Sequence, residues 1–568
     1  MARPLLLISL LVWSAVSQAE LVVNVKPANN KVRDNIRAFV GPVEATDYQS
    51  MSRMARPSRE QAIAAARALG YYDVTVTPKV TGPENNPTLR LNVTLGDPVR
   101  LRNVNVDIEG AGEGTDPFNL PLTEALEPGA VLNHGNYESL KSLISNQALR
   151  YGYFSGEFTE SKLLVNPKEQ YADISLRYNT GERYTLGDVQ FSDTPFDDDS
   201  LERIVLFEPG RAYNADILAE LNRDLLASGY FEGVQVSAPV EEADGTRIPI
   251  RVNLTAREPN SLGFGAGYST DVGARVMVDW TQHYVNPRGH SRGAELELSG
   301  PRQEVSAYYQ IPMTPPQSSN VRLFVGVLSD NVEDVDTLKA TAGGLYQKRL
   351  ANGWERGIGL RMEQERFSVG DDEGNSTLLL PSISFAKTHS TGGVDPRRGY
   401  SLQFGLQGAK EGLLSDIDLI HATAGARGLY TIWDKHRLLA RAQLGALSSS
   451  DYSSVPPTLR FFAGGDQSVR GYGYRTLSPV DETGDYIGGR YLVASSVEYQ
   501  YEFIDKWRAA VFVDHGDAVD SLSDPLETSA GFGIRWVSPV GPIRVDIAQS
   551  LSDSDEGFRI HFAMGPEL

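Results

Sequence analysis

The chain has no cysteine among its 568 residues. Disulfides and thiolate metal sites are thereby excluded. Beyond its first segment it has no apolar run long enough for a spanning helix, which takes about 18 residues. Positive charge is scarce: 53 Lys and Arg stand against 73 Asp and Glu, a formal charge of −20. That balance argues against nucleic acid as the main partner. The eight histidines are scattered and show no metal-ligand spacing. No G-x-S-x-G elbow, H-E-x-x-H pair, phosphate-binding loop or EF-hand loop occurs. The reading is of a non-enzyme, with no catalytic residue, cofactor or metal.

What is present starts with an export signal over residues 1–19. Arg3 supplies the positive start, residues 5–12 the short apolar core, and Ser17-Gln18-Ala19 the small-x-small cleavage site. An exported chain without helical spans is either soluble outside the inner membrane or inserted as a β-barrel.

The N-terminal half repeats one pattern three times. Gly70-Tyr71-Tyr72, Gly152-Tyr153-Phe154 and Gly229-Tyr230-Phe231 recur about 80 residues apart, the size of a small domain. Each glycine suits the left-handed position just past a helix, and each aromatic pair opens an alternating strand. In the third copy Ile217, Leu221 and Leu225 form a core-facing stripe, with Asn214 as N-cap. Glu208-Pro209-Gly210 and Glu127-Pro128-Gly129 mark a turn between two helices in the third and second copies. In the first copy, Ser58 with Gln61 is a capping-box candidate. The expected order is strand, helix, turn, helix, strand, strand: small α+β domains over residues 20–97, 98–181 and 182–259. Their three-stranded sheets have edges that can accept an extended peptide.

From residue 260 to 568 the helical pattern stops. Leu262, Phe264, Ala266 and Tyr268 alternate with Gly263, Gly265 and Gly267, and Ala294, Leu296 and Leu298 with Gly293, Glu295 and Glu297. Such runs continue over about 300 residues, the pattern of an all-β transmembrane barrel, here of about 16 antiparallel strands. Short turns at 286–289, 434–436, 504–506 and 538–542 belong on the periplasmic side. A longer, acidic set at 331–336, 370–373, 517–527 and 552–556 belongs outside. Trp280, Trp354, Trp433, Trp507 and Trp536 all lie near the short turns, as an aromatic belt requires. The two runs that must meet to close the barrel are weak. The first carries Gly263, Gly265 and Gly267; the last carries Gly557 and Gly565, then Pro566. This seam is expected to open laterally and offer an edge to a substrate strand.

Residues 447–487 lack a clear strand pattern, and a loop of that length inside a compact domain is usually functional. It contains Arg460-Phe461-Phe462-Ala463-Gly464-Gly465-Asp466 and Val469-Arg470-Gly471-Tyr472. A buried arginine needs anionic partners. Glu498 and Asp514, in the next two strands, are the candidates, and exchanging charge between Arg470 and one of them is the expected rescue. Asp395-Pro396-Arg397-Arg398-Gly399-Tyr400 reads as a periplasmic turn, and residues 531–542 as a strand-turn-strand corner.

These features carry a resemblance. The three repeats, over residues 20–258, resemble the POTRA domains of outer-membrane assembly proteins. Val469-Arg470-Gly471-Tyr472 resembles the V-R-G-Y/F motif of the BamA/TamA superfamily, where it lies on a long loop folded back into the barrel. Three repeats and the ending Gly565-Pro566-Glu567-Leu568 are similar to the TamA branch; BamA has five POTRA domains. The resemblance implies a Gram-negative outer-membrane barrel with POTRA domains in the periplasm, inserting autotransporters and other unfolded outer-membrane proteins. It further implies contact with outer-membrane lipid and an inner-membrane-anchored, TamB-like partner. One rival is a two-partner secretion pore, which usually carries two POTRA domains and a plug helix. Another is a passive porin or adhesin, which needs neither the repeats nor the arginine loop.

Overall fold

Each repeat builds a three-stranded sheet with its last strand in the middle. In the first, Thr88–Leu95 pairs parallel with Glu20–Lys26 and antiparallel with Val74–Thr81. In the second, Tyr171–Asn179 lies between Arg100–Glu109 and Glu157–Asn166. In the third, Arg247–Ala256 lies between Thr185–Phe191 and Phe231–Ser237. These facts come from a computed structural model that describes residues 20–568, except 44, 46, 85, 121–122, 371, 392, 394, 539–540, 553–556 and 565–568. The export signal, Gly565 and residues 566–568 therefore lie outside the described residues.

The cores follow from the two periodicities. Leu89, Leu91, Val93 and Leu95 share one face of their strand and are buried. Helices Asn30–Val40 and Tyr48–Ala68 cover that face with Val32, Ile36, Met51 and Ala62. In the second repeat, helix His134–Arg150 buries Tyr137, Leu140, Ile144 and Ala148. Helix Ala215–Ala227 of the third buries Leu218, Leu221 and Leu225, while Ile217 is half-buried. Gly70, Gly152 and Gly229 have φ of +87°, +84° and +78°. A Cβ on Gly70 would sit 2.6 Å from the Leu132 carbonyl oxygen, and one on Gly152 2.6 Å from Tyr213 Cβ. At these two positions glycine serves both the helix end and close packing of successive repeats.

Two local expectations need correction. Ser58 is not a cap: it is buried inside the 21-residue helix Tyr48–Ala68, whose capping box is Asp47 with Ser50. Pro57 also lies within that helix. Among the described residues the second repeat has one α-helix; two short 3₁₀ turns, Asp116–Phe118 and Glu124–Leu126, stand where the other was expected. There Phe118 and Leu126 fill the core that a helical face would otherwise fill.

The C-terminal half forms a 16-stranded sheet in which neighbours in sequence are neighbours in space. It runs from Asn260–Ser269 to Arg559–Met564. Leu262, Phe264 and Tyr268 are 58%, 76% and 54% exposed on the outer face, the exposure of a lipid-facing row. The tryptophans sit at the short-turn ends, where Trp507 and Trp536 stack 5.9 Å apart. Two outer connections are shorter than expected. Ser319–Val332 and Val335–Arg349 meet in a tight turn, as do Glu355–Val369 and Asp372–Thr391. Val332, Val335, Phe367 and Val369 are buried, and the last three pack with Phe462 and Ile487 of the long loop. That packing extends the ladders beyond the ends read from turn residues. Gly557 lies before the last strand rather than in it.

Candidate functional site

The long loop joins the eleventh barrel strand, His436–Ser449, to the twelfth, Tyr491–Ile504. It is folded on itself: Phe461 bridges Gly489, and Ala463 bridges Leu477. Arg460 ties its ends, donating to the carbonyls of Val455, Ile487 and Ser453 at 2.9, 2.9 and 3.0 Å. Gly464 has φ +96°, and a Cβ there would lie 2.2 Å from the Gly473 carbonyl oxygen. Gly464→Val should therefore unfold the loop turn, at about 1–3 kcal/mol. Limited proteolysis within the loop reads this out; an unchanged digestion rate would contradict it.

Val469, Arg470 and Tyr472 are buried. The Arg470 guanidinium grips Asp514 with two bonds, Nε to Oδ2 at 2.8 Å and Nη2 to Oδ1 at 2.9 Å. The Arg470 backbone N–H donates to the same carboxylate at 3.0 Å. Nη1 reaches Glu498 at 2.8 Å and Asp546 at 3.1 Å. The guanidinium carbon lies 3.3 Å from the Phe512 ring centre, so one face is stacked and the edge is bonded. Thus the loop motif and both proposed carboxylates come together, with a third carboxylate added.

Two further residues complete the cluster. Arg535, on the fourteenth strand, donates to Glu498 at 2.9 Å and to Asp546 at 2.5 Å. Arg441, on the eleventh, lies 3.7 Å from Asp514 and donates to the Ser468 carbonyl at 2.8 Å. Three arginines thus face three carboxylates. A buried cluster with balanced charge and shared hydrogen bonds avoids the unpaired-ion penalty. Arg535 and Asp546 each lie between apolar neighbours in alternating strands. That inward position was the available signal, but it does not say which inward charges meet. Gly533 makes room: a Cβ there would sit 2.0 Å from Asp546 Oδ1. Gly533→Val should break the Arg535–Asp546 pair and lower the barrel's unfolding temperature in detergent; an unchanged temperature would remove this role.

The motif also meets the end of the barrel. The Gly471 N–H donates to His561 Nε2 on the sixteenth strand at 3.0 Å. The Tyr472 hydroxyl bonds Glu527 at 2.5 Å and Ser550 at 2.6 Å. The Asp395 turn is a separate brace, where Asp395 accepts from Arg437 at 2.7 Å and Arg508 at 2.9 Å. At the seam, Gly263 leaves room for the inward Asp279, whose Oδ1 would lie 2.2 Å from an added Cβ. Gly265 and Gly267 share the first strand with it, and Gly267 faces open space. The two ends of the sheet meet at Thr270, just past the first strand, and Phe562 of the last. The Thr270 N–H donates to the Phe562 carbonyl, and the Phe562 N–H to the Thr270 hydroxyl, both at 3.2 Å.

Residues 285–567 match the Omp85 superfamily domain. Residues 22–95 match the first POTRA domain of TamA, and residues 184–257 a POTRA repeat described as a surface antigen variable number repeat. The chain is 24% identical to the outer membrane protein assembly factor BamA of Nitratidesulfovibrio vulgaris, over 87% of this chain and 66% of that protein. It is 21% identical to BamA of Neisseria meningitidis serogroup B, over 87% of this chain and 70% of that one. The chain thus spans about two thirds of the length of these relatives. The crystal structure of BamA from Haemophilus ducreyi lacking POTRA domains 1–3 superposes with a TM-score of 0.69 at 17% identity, covering 82% of this chain and 99% of that one. It shares the fold. The barrel lies in the outer membrane, and the POTRA domains lie in the periplasm. Residues 285–567 form an Omp85 superfamily domain, and the first repeat is a TamA-type POTRA domain.

Proposed function

We propose that this protein helps unfolded outer-membrane proteins, autotransporters among them, to insert by lateral opening of the seam between its first and last barrel strands. One observation carries the reading. Neighbouring strands elsewhere share long ladders, whereas the end strands, among the described residues, are joined at Thr270 and Phe562. A strand entering a bilayer must satisfy every backbone N–H and C=O, each of which costs several kcal/mol if left open in hydrocarbon. A parted seam supplies that partner edge, and burial of the substrate's apolar face drives the step without a catalytic group. The TamA-type first domain supports a TamA-like role, with the POTRA domains docking a TamB-like, inner-membrane-anchored protein that spans the periplasm. By position, the first POTRA domain meets that partner and the third meets the substrate.

The test is reconstitution of the full chain in vesicles of outer-membrane lipid. A urea-unfolded eight-stranded outer-membrane barrel is added, and its protease-resistant inserted form is followed. Faster insertion than in empty vesicles is the expected result. No acceleration, together with a steady open conductance, would favour a pore.

A further inference from the structure

The inner loop touches both lips of the seam. Toward the last strands it holds by the buried Arg470 cluster, by Gly471 on His561 and by Tyr472 on Glu527 and Ser550. Toward the first hairpin it holds differently. The Asp466 backbone N–H donates to Asp271 Oδ2 at 2.8 Å, and Asp271 lies on the turn between Asn260–Ser269 and Gly273–Gln282. Gly465, with φ +94°, presses its backbone onto this carboxylate; a Cβ there would lie 2.6 Å from Asp271 Oδ2. Beside the contact is a cavity of about 280 Å³ lined by Asp271, Arg275, Asp466, Arg544, Ala563 and Met564. It provides space into which the hairpin turn can move.

The two arms differ in kind. One is a charge-balanced cluster with many bonds, and breaking it would leave buried charges unpaired. The other sets two acidic side chains against each other, joined by a backbone hydrogen bond and by a side-chain hydrogen bond that needs a proton on Asp271. We propose that Asp271 and Asp466 form the release catch of the seam: the first hairpin parts from the loop at this contact, and the loop stays with the last strands. This rests on the seam reading above and adds which lip moves and where it lets go.

The catch is sensitive to protons. Burial, then the neighbouring Asp466 carboxylate, pushes Asp271 up to about 7. The charged groups facing it are Asp466 on the loop, Arg544 on the fifteenth strand and Arg275 on the second. Once the hairpin has parted, Asp271 is a solvated carboxylate titrating near about 3.9. The closed contact therefore holds a proton that the parted one releases. Closure is strongest below about pH 4, weakens as pH rises toward about 7, and is flat above that.

Val272 and Gln467 line the cavity from the two sides and carry the test. In the full chain, Val272→Cys/Gln467→Cys is bridged by a short bis-maleimide, and insertion of the urea-unfolded eight-stranded barrel is measured in vesicles. Insertion should fall about tenfold or more relative to the unbridged form of the same variant. A disulfide between the lips themselves, Thr270→Cys/Phe562→Cys, is measured in parallel. If the lip bridge blocks insertion and the hairpin–loop bridge does not, the catch is wrong and the seam stands. If the lip bridge leaves insertion intact, seam and catch fall together. Spin labels at the same 272 and 467 positions supply a second readout. Their distance distribution should broaden from about pH 5 to about pH 8, and Asp271→Asn should flatten that change. A pH-independent distribution in the parent would overturn the proposal.

Discussion

Arg470→Met destabilises the barrel by about 3–5 kcal/mol and frees the inner loop. The substitution keeps roughly the volume and removes the charge. Glu498, Asp514 and Asp546, all at most 7% exposed, are then left with Arg535 and Arg441 alone. The Asp514 carboxylate loses both its guanidinium bonds and keeps the Arg470 backbone N–H, the Ser496 side chain and the more distant Arg441. The measurements are the urea midpoint of the folded barrel in detergent and tryptic cleavage within the loop. An unchanged midpoint and an uncut loop would show that the cluster does not anchor it. The double variant Arg470→Met/Asp514→Asn restores the balance of charge and should recover about half of the loss. Charge exchange should not. Arg470→Glu with Glu498→Arg would set the new arginine against Arg535, which bonds Glu498 at 2.9 Å, and the new glutamate against Asp514 and Asp546. The rescue expected from a simple pair is lost because the arginine serves three carboxylates and Glu498 already has a second arginine.

Oxidising Thr270→Cys/Phe562→Cys should abolish substrate insertion, with recovery on reduction. The chain has no cysteine of its own, so the engineered pair is read without background. The Thr270 N–H already meets the Phe562 carbonyl, and the Thr270 hydroxyl accepts from the Phe562 N–H, so position 270, just past the first strand, lies beside position 562 of the last. The disulfide adds to the remaining backbone hydrogen bond, which contributes about 1 kcal/mol net, a link that thermal motion does not break. The measurement is inserted, protease-resistant substrate before and after oxidation, beside the heat-shifted mobility that reports a folded barrel. Full insertion by an oxidised, folded barrel would remove lateral opening from the mechanism. It would leave the barrel, the POTRA domains and the loop without that explanation.

Much of the architecture was legible because it repeats. Glycine followed by an aromatic pair, three times over, marks helix end and strand start, since few other residues adopt the backbone found at Gly70, Gly152 and Gly229. Alternation along Leu262 to Tyr268 predicts a strand with one lipid face, and the tryptophans mark which end of the strands meets the periplasm. The loop motif was legible as a buried charge in need of partners, and both carboxylates proposed for it, Glu498 and Asp514, are among those it meets. Ser58 with Gln61 has the spacing of a capping box, but the N-cap is Asp47, eleven residues earlier, and the helix runs through Ser58 from Tyr48. The tight outer turns were missed because the packing that prolongs those strands comes from Phe462 and Ile487, far along the chain.

By itself, the sequence determined what depends on neighbours along the chain: the repeats, the strand periodicity, the inward or outward direction of each side chain and the need to pair Arg470. Tertiary structure alone decided which inward charges meet. Barrel closure and the folded-back loop bring Arg441, Glu498, Asp514, Arg535 and Asp546 around one guanidinium, and bring Asp466 to Asp271 across 195 positions of sequence. Periodicity fixes the direction in which a side chain points but carries no information about register across a closed barrel, and that register sets these distances.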